Sequence, residues 1–247
     1  MKTLKFLVLV ISASIFSQAQ TVYDVNRKII GADNQRVVNA MGTNVPFKYH
    51  PAMEAIGLIS MGCTATHIGF GLVITAGHCF DADKIKFKTP CVGDQVFWGV
   101  REGKAATLVS NCKQLLVKEH TKTRDYALFV VDNPPRVSLP IKLDGRAQLS
   151  TRVTIFSHPF KQPLTWSGVC EVRKSFGAQA PQGMIHHQCD TNPGSSGAAI
   201  LDADTLEVIG IHGGGWAEGV SGYNYGTYID VTYIPTILSR MGYRRPN

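Results

Sequence analysis

The chain has 247 residues, 44% hydrophobic and 17% charged, with 24 glycines, 12 prolines and a formal net charge of +7. That length supports one large or two small domains with ample cores. Low charge density with frequent Gly and Pro argues against a helical protein and for a turn-rich all-β one, and the lack of a dense basic run with interleaved aromatics argues against nucleic-acid binding.

At the N-terminus, Lys2 and Lys5 precede an apolar run from Phe6 to Phe16, and Ser17-Gln18-Ala19 forms a small-x-small cleavage site. Residues 1–19 are therefore read as an export signal, which predicts a secreted or periplasmic protein. The run is shorter than the ~20 apolar residues a membrane helix needs, and no later stretch approaches that length, so no membrane association is expected. Residues 20–28 are polar and end in Arg27-Lys28, just before Ile29-Ile30-Gly31-Ala32-Asp33. They read as a short propeptide with a processing site, as in a zymogen; an ordinary exposed arm is the plainer alternative.

Beyond Ile29, short apolar or alternating runs are separated by turn residues, as in antiparallel barrels. They are Ala55–Ser60, Leu72–Ala76, Gln95–Val100, Tyr126–Val131, Val153–Ser157, Ala198–Leu201 and Val208–His212. Asn133-Pro134-Pro135 is the best internal break, dividing an N-terminal β-barrel of residues 29–135 from a second barrel of residues 136–247. Val231, Ile234, Ile237, Leu238 and Met241 recur at near-helical spacing and predict a terminal helix packed by one face.

Six cysteines in an exported chain suggest three disulfides, for which 15 connectivities exist. Cys63 and Cys79 bracket a strand–turn–strand and are read as one pair. Cys170 and Cys189 flank a hairpin, which leaves Cys91 with Cys112, although other pairings of these four stay open. No Cys-x-x-Cys or His-x-x-x-His spacing occurs, so no metal site is expected.

Three short motifs carry the chemistry: Thr75-Ala76-Gly77-His78-Cys79, Asp125-Tyr126-Ala127-Leu128 and Gly194-Ser195-Ser196-Gly197. A serine hydroxyl becomes a nucleophile only when a neighbouring base takes its proton, and an imidazole held by a carboxylate is suited to that task. The motifs supply these groups as His78, Asp125 and Ser196, in the chain order His, Asp, Ser. Alone, each has a plain meaning: a capping or core histidine, a strand-end aspartate, a flexible Gly/Ser loop. Asp125 enters an apolar strand, which puts its carboxylate at the lip of a barrel. Gly194 lets the backbone turn so that its N–H and that of Ser196 converge as an oxyanion hole. The remaining histidines (His50, His67, His120, His158, His186 and His187) lack such flanking motifs and are assigned structural or surface roles.

These stretches resemble the chymotrypsin-like (trypsin-fold) serine peptidases over about residues 29–240. Finer features are similar to the bacterial glutamyl-endopeptidase branch: the start Ile29-Ile30-Gly31-Ala32-Asp33, the approach Cys189-Asp190-Thr191, and Ile209-Gly210-Ile211-His212-Gly213-Gly214 with Asn224-Tyr225-Gly226-Thr227. The resemblance implies two antiparallel six-stranded β-barrels packed face to face with a C-terminal helix. It implies a monomeric endopeptidase that acts on proteins or peptides and needs no cofactor. Thr191 and His212, with Asp190, Gly213 and Gly214 around them and the new N-terminus at Ile29, would contact the side chain before the scissile bond. A hydroxyl and an imidazole suit a Glu or Asp side chain, since charge-assisted hydrogen bonds are the strong ones.

The chain also departs from its relatives. Ser195 stands where the animal enzymes carry the aspartate that pairs with a freed N-terminus, and Ala198-Ala199 replaces the more usual Ser/Gly-Pro. Asp190 lies six residues before Ser196, where trypsin-like enzymes bind Lys or Arg, so cleavage after basic residues is the alternative. Lysyl endopeptidases share Pro-Gly-Ser-Ser-Gly and His-Gly-Gly but use an acid in the following loop, where this chain has Asn224-Tyr225, with Glu218 nearby. A third alternative is a non-catalytic homologue acting as a binding module, although such proteins usually lack one of the three residues present here.

Overall fold

A computed structural model describes residues 28–81, 84–144, 146–173, 183–215 and 223–243. The export signal, most of the 20–28 segment and Glu218 lie outside the described residues. Strands β1 (Arg36–Val37), β2 (Ile56–Ile59), β3 (Thr64–Gly69), β4 (Leu72–Thr75), β5 (Lys86–Thr89), β6 (Gln95–Trp98), β7 (Leu108–His120) and β8 (Asp125–Val131) come first. β9 (Arg152–Ser157), β10 (Thr165–Glu171), β11 (Met184–His187), β12 (Ala199–Asp202), β13 (Val208–Gly215) and β14 (Asn224–Tyr228) follow, with helices α1 (His50–Ala55) and α2 (Ile234–Arg240).

β7-β6-β2-β3-β4-β8 form an antiparallel barrel closed by the β7–β8 pairing, with β5 added on β7. The second sheet runs β10-β9-β12-β13-β14-β11, and a bridge between Val172 and His187 joins its last strand to its first. β1 pairs with β10, Arg36 opposite Trp166, so the segment before β2 lies on the second sheet although it precedes the first in sequence.

β4, β8, β9, β12 and β13 read as continuous apolar runs because both of their faces are largely buried. Along β8, Ala127, Phe129 and Val131 fill the first barrel with Val73, Val96 and Trp98. The alternate residues Tyr126 and Leu128 join Ile74, Phe156, Leu201 and Ile211 in a cluster that links the two sheets. Ile155, Ile185, Ile200 and Ile209 form the interior of the second barrel. Each fully buried large side chain contributes about 1.5–3 kcal/mol, so the inter-sheet cluster fixes the barrels against each other. That matters because the candidate residues come from both.

The terminal helix is present, with Ile234 and Leu238 buried against the inter-sheet cluster. Val231 lies in a preceding 3-10 turn rather than in the helix itself. Helix α1 has no counterpart among the elements expected from sequence; its six residues with Pro51 in the first turn are too short to declare a helical period. The disulfides are Cys63–Cys79, Cys91–Cys112 and Cys170–Cys189. Bridging 16, 21 and 19 residues, they each contribute roughly 3 kcal/mol in a chain-entropy account. Three disulfides fit an oxidising compartment. Among the described residues no helix is long and apolar enough to cross a membrane.

Candidate active site

His78 sits in a single 3-10 turn, Gly77–Phe80, directly after β4. A side chain at Gly77 would start 2.0 Å from the Glu119 carbonyl oxygen and 2.9 Å from that of Tyr126, so only glycine lets this turn lie on β7 and β8. Cys79, bonded to Cys63, ties the turn to the β2–β3 connection. Asp125 begins β8, and its carboxylate grips His78 twice: Oδ1 accepts the backbone N–H at 3.0 Å, and Oδ2 lies 2.6 Å from Nδ1. Because an ionised carboxylate only accepts, Nδ1 carries the proton and Nε2 is left with a free lone pair. Asp125 is buried and its own N–H donates to Thr227 Oγ1 on β14 at 2.9 Å. The second barrel thus holds the residue that orients the histidine of the first.

The Gly194–Gly197 turn is held from both sides. Thr64 on β3 donates its N–H to the Ser196 carbonyl at 2.9 Å and its hydroxyl to the Gly194 carbonyl at 2.9 Å. The same hydroxyl accepts the His158 N–H at 2.9 Å. The Gly197 N–H donates to the His212 carbonyl at 2.8 Å. Gly194 (φ +99°) and Gly197 (φ +87°) occupy backbone conformations that side chains rarely adopt. A Cβ at Gly197 would lie 2.0 Å from Thr75 Oγ1 and 2.8 Å from the Ala76 nitrogen. The turn that carries Ser196 therefore presses against the residues just before His78. The two adjacent serines differ: Ser195 is fully buried, its Oγ 2.9 Å from Ser157 Oγ and accepting the Asn192 N–H at 3.3 Å, whereas Ser196 is partly exposed.

Around this turn lie the residues expected to recognise a substrate. His212 on β13 is buried, with its Nδ1 3.1 Å from Nε2 of His187 on β11. Burial pushes His212 down to about 3; the charge of His78 adds to the shift, and Asp125 and a backbone bond at Tyr225 oppose it. Burial, then the neighbouring His212 and His186, hold His187 well below the usual imidazole range. Both rings are accordingly neutral near pH 7 and present one donor and one acceptor nitrogen each. Thr191 Oγ1 and His187 Nδ1 are buried without a hydrogen-bond partner among the described residues. Such atoms normally find one, so Thr191 Oγ1 and His187 Nδ1 have hydrogen-bonding capacity to spare.

Asp190 is also buried, but its carboxylate is occupied: Oδ1 accepts the Ile30 N–H at 2.7 Å and Oδ2 the Asn34 N–H at 2.8 Å. Burial raises its pKa, against those two amides, which favour the ionised form. Lys28 pairs with Thr191 through both backbone hydrogen bonds, 3.1 and 3.3 Å, and Asn224 Nδ2 donates to the Lys28 carbonyl at 2.9 Å. A Cβ at Gly215 would lie 2.8 Å from Lys28 Cγ. Lys28 and the half-buried Ile29 thus run beside Thr191 and the end of β13. Gly213 packs behind Asp125, where a Cβ would lie 3.3 Å from Oδ2, and Gly214 faces the Tyr225 ring.

Three contributors stand outside the three catalytic motifs. His187 reads in sequence as a structural or surface histidine, Thr64 carries no motif, and Thr227 ends a stretch whose resemblance points to the pocket rather than to Asp125. Their parts depend on pairings between distant strands, and only the His186-His187 pair just before Cys189 hinted at an unusual site. His67 and His158 do have structural surroundings, their Nδ1 atoms resting on the Val137 and Gln162 carbonyls at 2.8 and 3.0 Å.

Two barrels with a buried carboxylate on a histidine and a glycine-framed serine turn between them define the class: a chymotrypsin-like serine peptidase. Residues 63–211 match the trypsin-like peptidase domain, and the chain belongs to that family. The solved structure of a Glu endopeptidase in complex with MPD is similar, with TM-score 0.64 and 18% identity, over 87% of this chain and 99% of that one. At that identity the likeness is one of fold. No curated protein sequence matches the chain.

Proposed function

We propose that this chain is a secreted endopeptidase that cleaves after Glu, and less readily after Asp, with Ser196 as nucleophile, His78 as general base and then acid, and Asp125 as its orienting carboxylate. Ser196 Oγ attacks the scissile carbonyl as its proton passes to His78 Nε2. The N–H groups of Gly194 and Ser196 receive the developing oxyanion, and His78 returns the proton to the leaving amine. An acyl-enzyme on Ser196 is then hydrolysed by the reverse sequence. The chemistry needs no cofactor, and a monomer contains every group it uses.

The observation that carries the acidic preference is the pair formed by neutral His212 and unpartnered Thr191. A buried imidazole N–H and a hydroxyl can both donate to a carboxylate, and neither supplies the negative charge that would pair with an ammonium or guanidinium group. The cleavage-after-Lys/Arg alternative rests on Asp190, and that carboxylate already accepts the Ile30 and Asn34 amides. A cleavage-site profile on a denatured protein mixture tests the proposal: cuts should follow Glu, and a majority after Lys or Arg would overturn it. His212→Val is expected to lower kcat/KM for a Glu substrate by about 10- to 100-fold, the worth of a hydrogen bond to a charged group. A matched Gln substrate should lose far less. An equal loss on both would mean that His212 does not read the carboxylate.

Thr64 supports the oxyanion hole from the other barrel, since holding the Gly194 carbonyl keeps the turn from rotating its N–H away. Thr64→Val should lower kcat roughly tenfold or more with little change in KM, because only transition-state binding is loosened. Thr64→Ser should restore most of it. A loss of KM alone would refute this role.

A further inference from the structure

We propose that the same site is a reversible inhibitory site for a borderline-soft divalent metal ion such as Zn²⁺ or Cu²⁺, held between His78 and His120. This rests on the peptidase reading above only for its functional consequence; the metal site itself stands on geometry. His120 ends β7 directly opposite Asp125 in the β7–β8 register, and its ring lies 5.5 Å, centroid to centroid, from that of His78. One ligand atom from each of His78, His120 and Asp125 lies within 4.8 Å of the others. Among the described residues, the two other groupings of metal-binding residue types, Cys63-His78-Cys79 and Cys170-His187-Cys189, have both cysteines in disulfides and are not available.

Metal-ligating histidines are commonly fixed by a carboxylate on their second nitrogen, which sets the tautomer and raises the basicity of the first. Asp125 does this to His78 through the 2.6 Å contact at Nδ1, leaving Nε2 as the ligand atom. Two imidazoles on a tetrahedral ion at 2.0–2.1 Å place their nitrogens about 3.4 Å apart. His120 is exposed, so its side chain is free to turn the short distance required, and the His78 side chain is 32% exposed. The nearby Arg124 does not present an uncompensated repelling charge, because its guanidinium pairs with Glu119 at 2.8 Å. Imidazole ligands select zinc or copper over calcium and magnesium, which prefer oxygen. Water would complete the coordination. A metal there occupies the lone pair that must receive the serine proton, so binding and turnover exclude each other.

The test uses the processed, untagged protein. Zn²⁺ should inhibit peptide hydrolysis reversibly, with EDTA restoring activity, while Mg²⁺ and Ca²⁺ at the same concentration do not. His120→Ala should keep kcat/KM within about twofold and raise the zinc inhibition constant at least about tenfold, since losing a ligand costs no less than losing an outer-shell partner of one. Calorimetric titration with zinc alone, on wild type and His120→Ala, reads the site without reference to activity. Zinc binding that depends on His120 in a protein without peptidase activity would uphold the metal site and overturn the function. An active enzyme whose zinc response is the same with and without His120 would overturn the metal site and leave the function intact.

Discussion

Ser196→Ala is expected to lower kcat by about 10⁴-fold or more, the loss typical of removing the nucleophile of a triad. The neighbouring Ser195→Ala should leave the reaction largely intact. The contrast follows from burial. Ser195 Oγ is enclosed, in contact with Ser157 Oγ at 2.9 Å and accepting the Asn192 N–H at 3.3 Å. Removing it leaves two buried polar groups short of a partner, which costs roughly 1–3 kcal/mol of stability. Its consequence is a lower midpoint of thermal unfolding rather than a lost reaction. A fluorophosphonate probe should label wild type and Ser195→Ala with one equivalent each and Ser196→Ala not at all. Labelling of Ser196→Ala, or none in a folded Ser195→Ala, would exchange the roles of the two serines. Absence of labelling in folded, processed wild type would point instead to a non-catalytic homologue.

How far the sequence alone reaches follows from which contacts are local. β4 and β8 are legible because one strand face fills a barrel and the other the space between sheets, so their residues are apolar without interruption. β7 is hidden by the same rule: Asn111, Lys113, Gln114, Lys118 and Glu119 break its apolar character, and its register shifts twice against β8. Two residues of β1, far from the second barrel in sequence, carry no sign that they will pair with β10. The site divides in the same way. His78 and Ser196 lie in short motifs because glycines are required beside them, Gly77 under the Glu119 carbonyl and Gly197 against Thr75, whereas Asp125 is legible as the polar start of the apolar run of β8. The His187–His212 contact arises from β11 and β13 flanking β14, and the Thr64 bridge spans 130 residues. Asp190 shows the limit most clearly. Its position near Ser196 offers a carboxylate for a basic substrate, and only the folded chain reveals that Ile30 and Asn34 have taken it.

Asp125→Asn should be nearly as damaging as loss of the serine while leaving the fold intact. The carboxylate serves two donors at once, the His78 backbone N–H at 3.0 Å and the ring Nδ1–H at 2.6 Å. An amide has a single acceptor oxygen. If that oxygen keeps the backbone N–H, the amide NH₂ faces Nδ1 and stabilises the tautomer protonated on Nε2. That tautomer cannot take the proton of Ser196. If the amide flips, Nδ1–H is served but an N–H is driven against the backbone N–H of His78, which distorts the turn. Either arrangement removes general-base catalysis, and a loss of about 10⁴-fold in kcat is expected. The link between barrels should survive, because Thr227 accepts the backbone N–H of residue 125 and not its side chain. Unfolding temperature and binding of a Glu-containing peptide should therefore change little, while the rate of fluorophosphonate labelling falls with kcat. Activity within tenfold of wild type would mean that Asp125 does not set the histidine tautomer. A collapse of stability alongside activity would instead make Asp125 chiefly a structural strut between the two barrels.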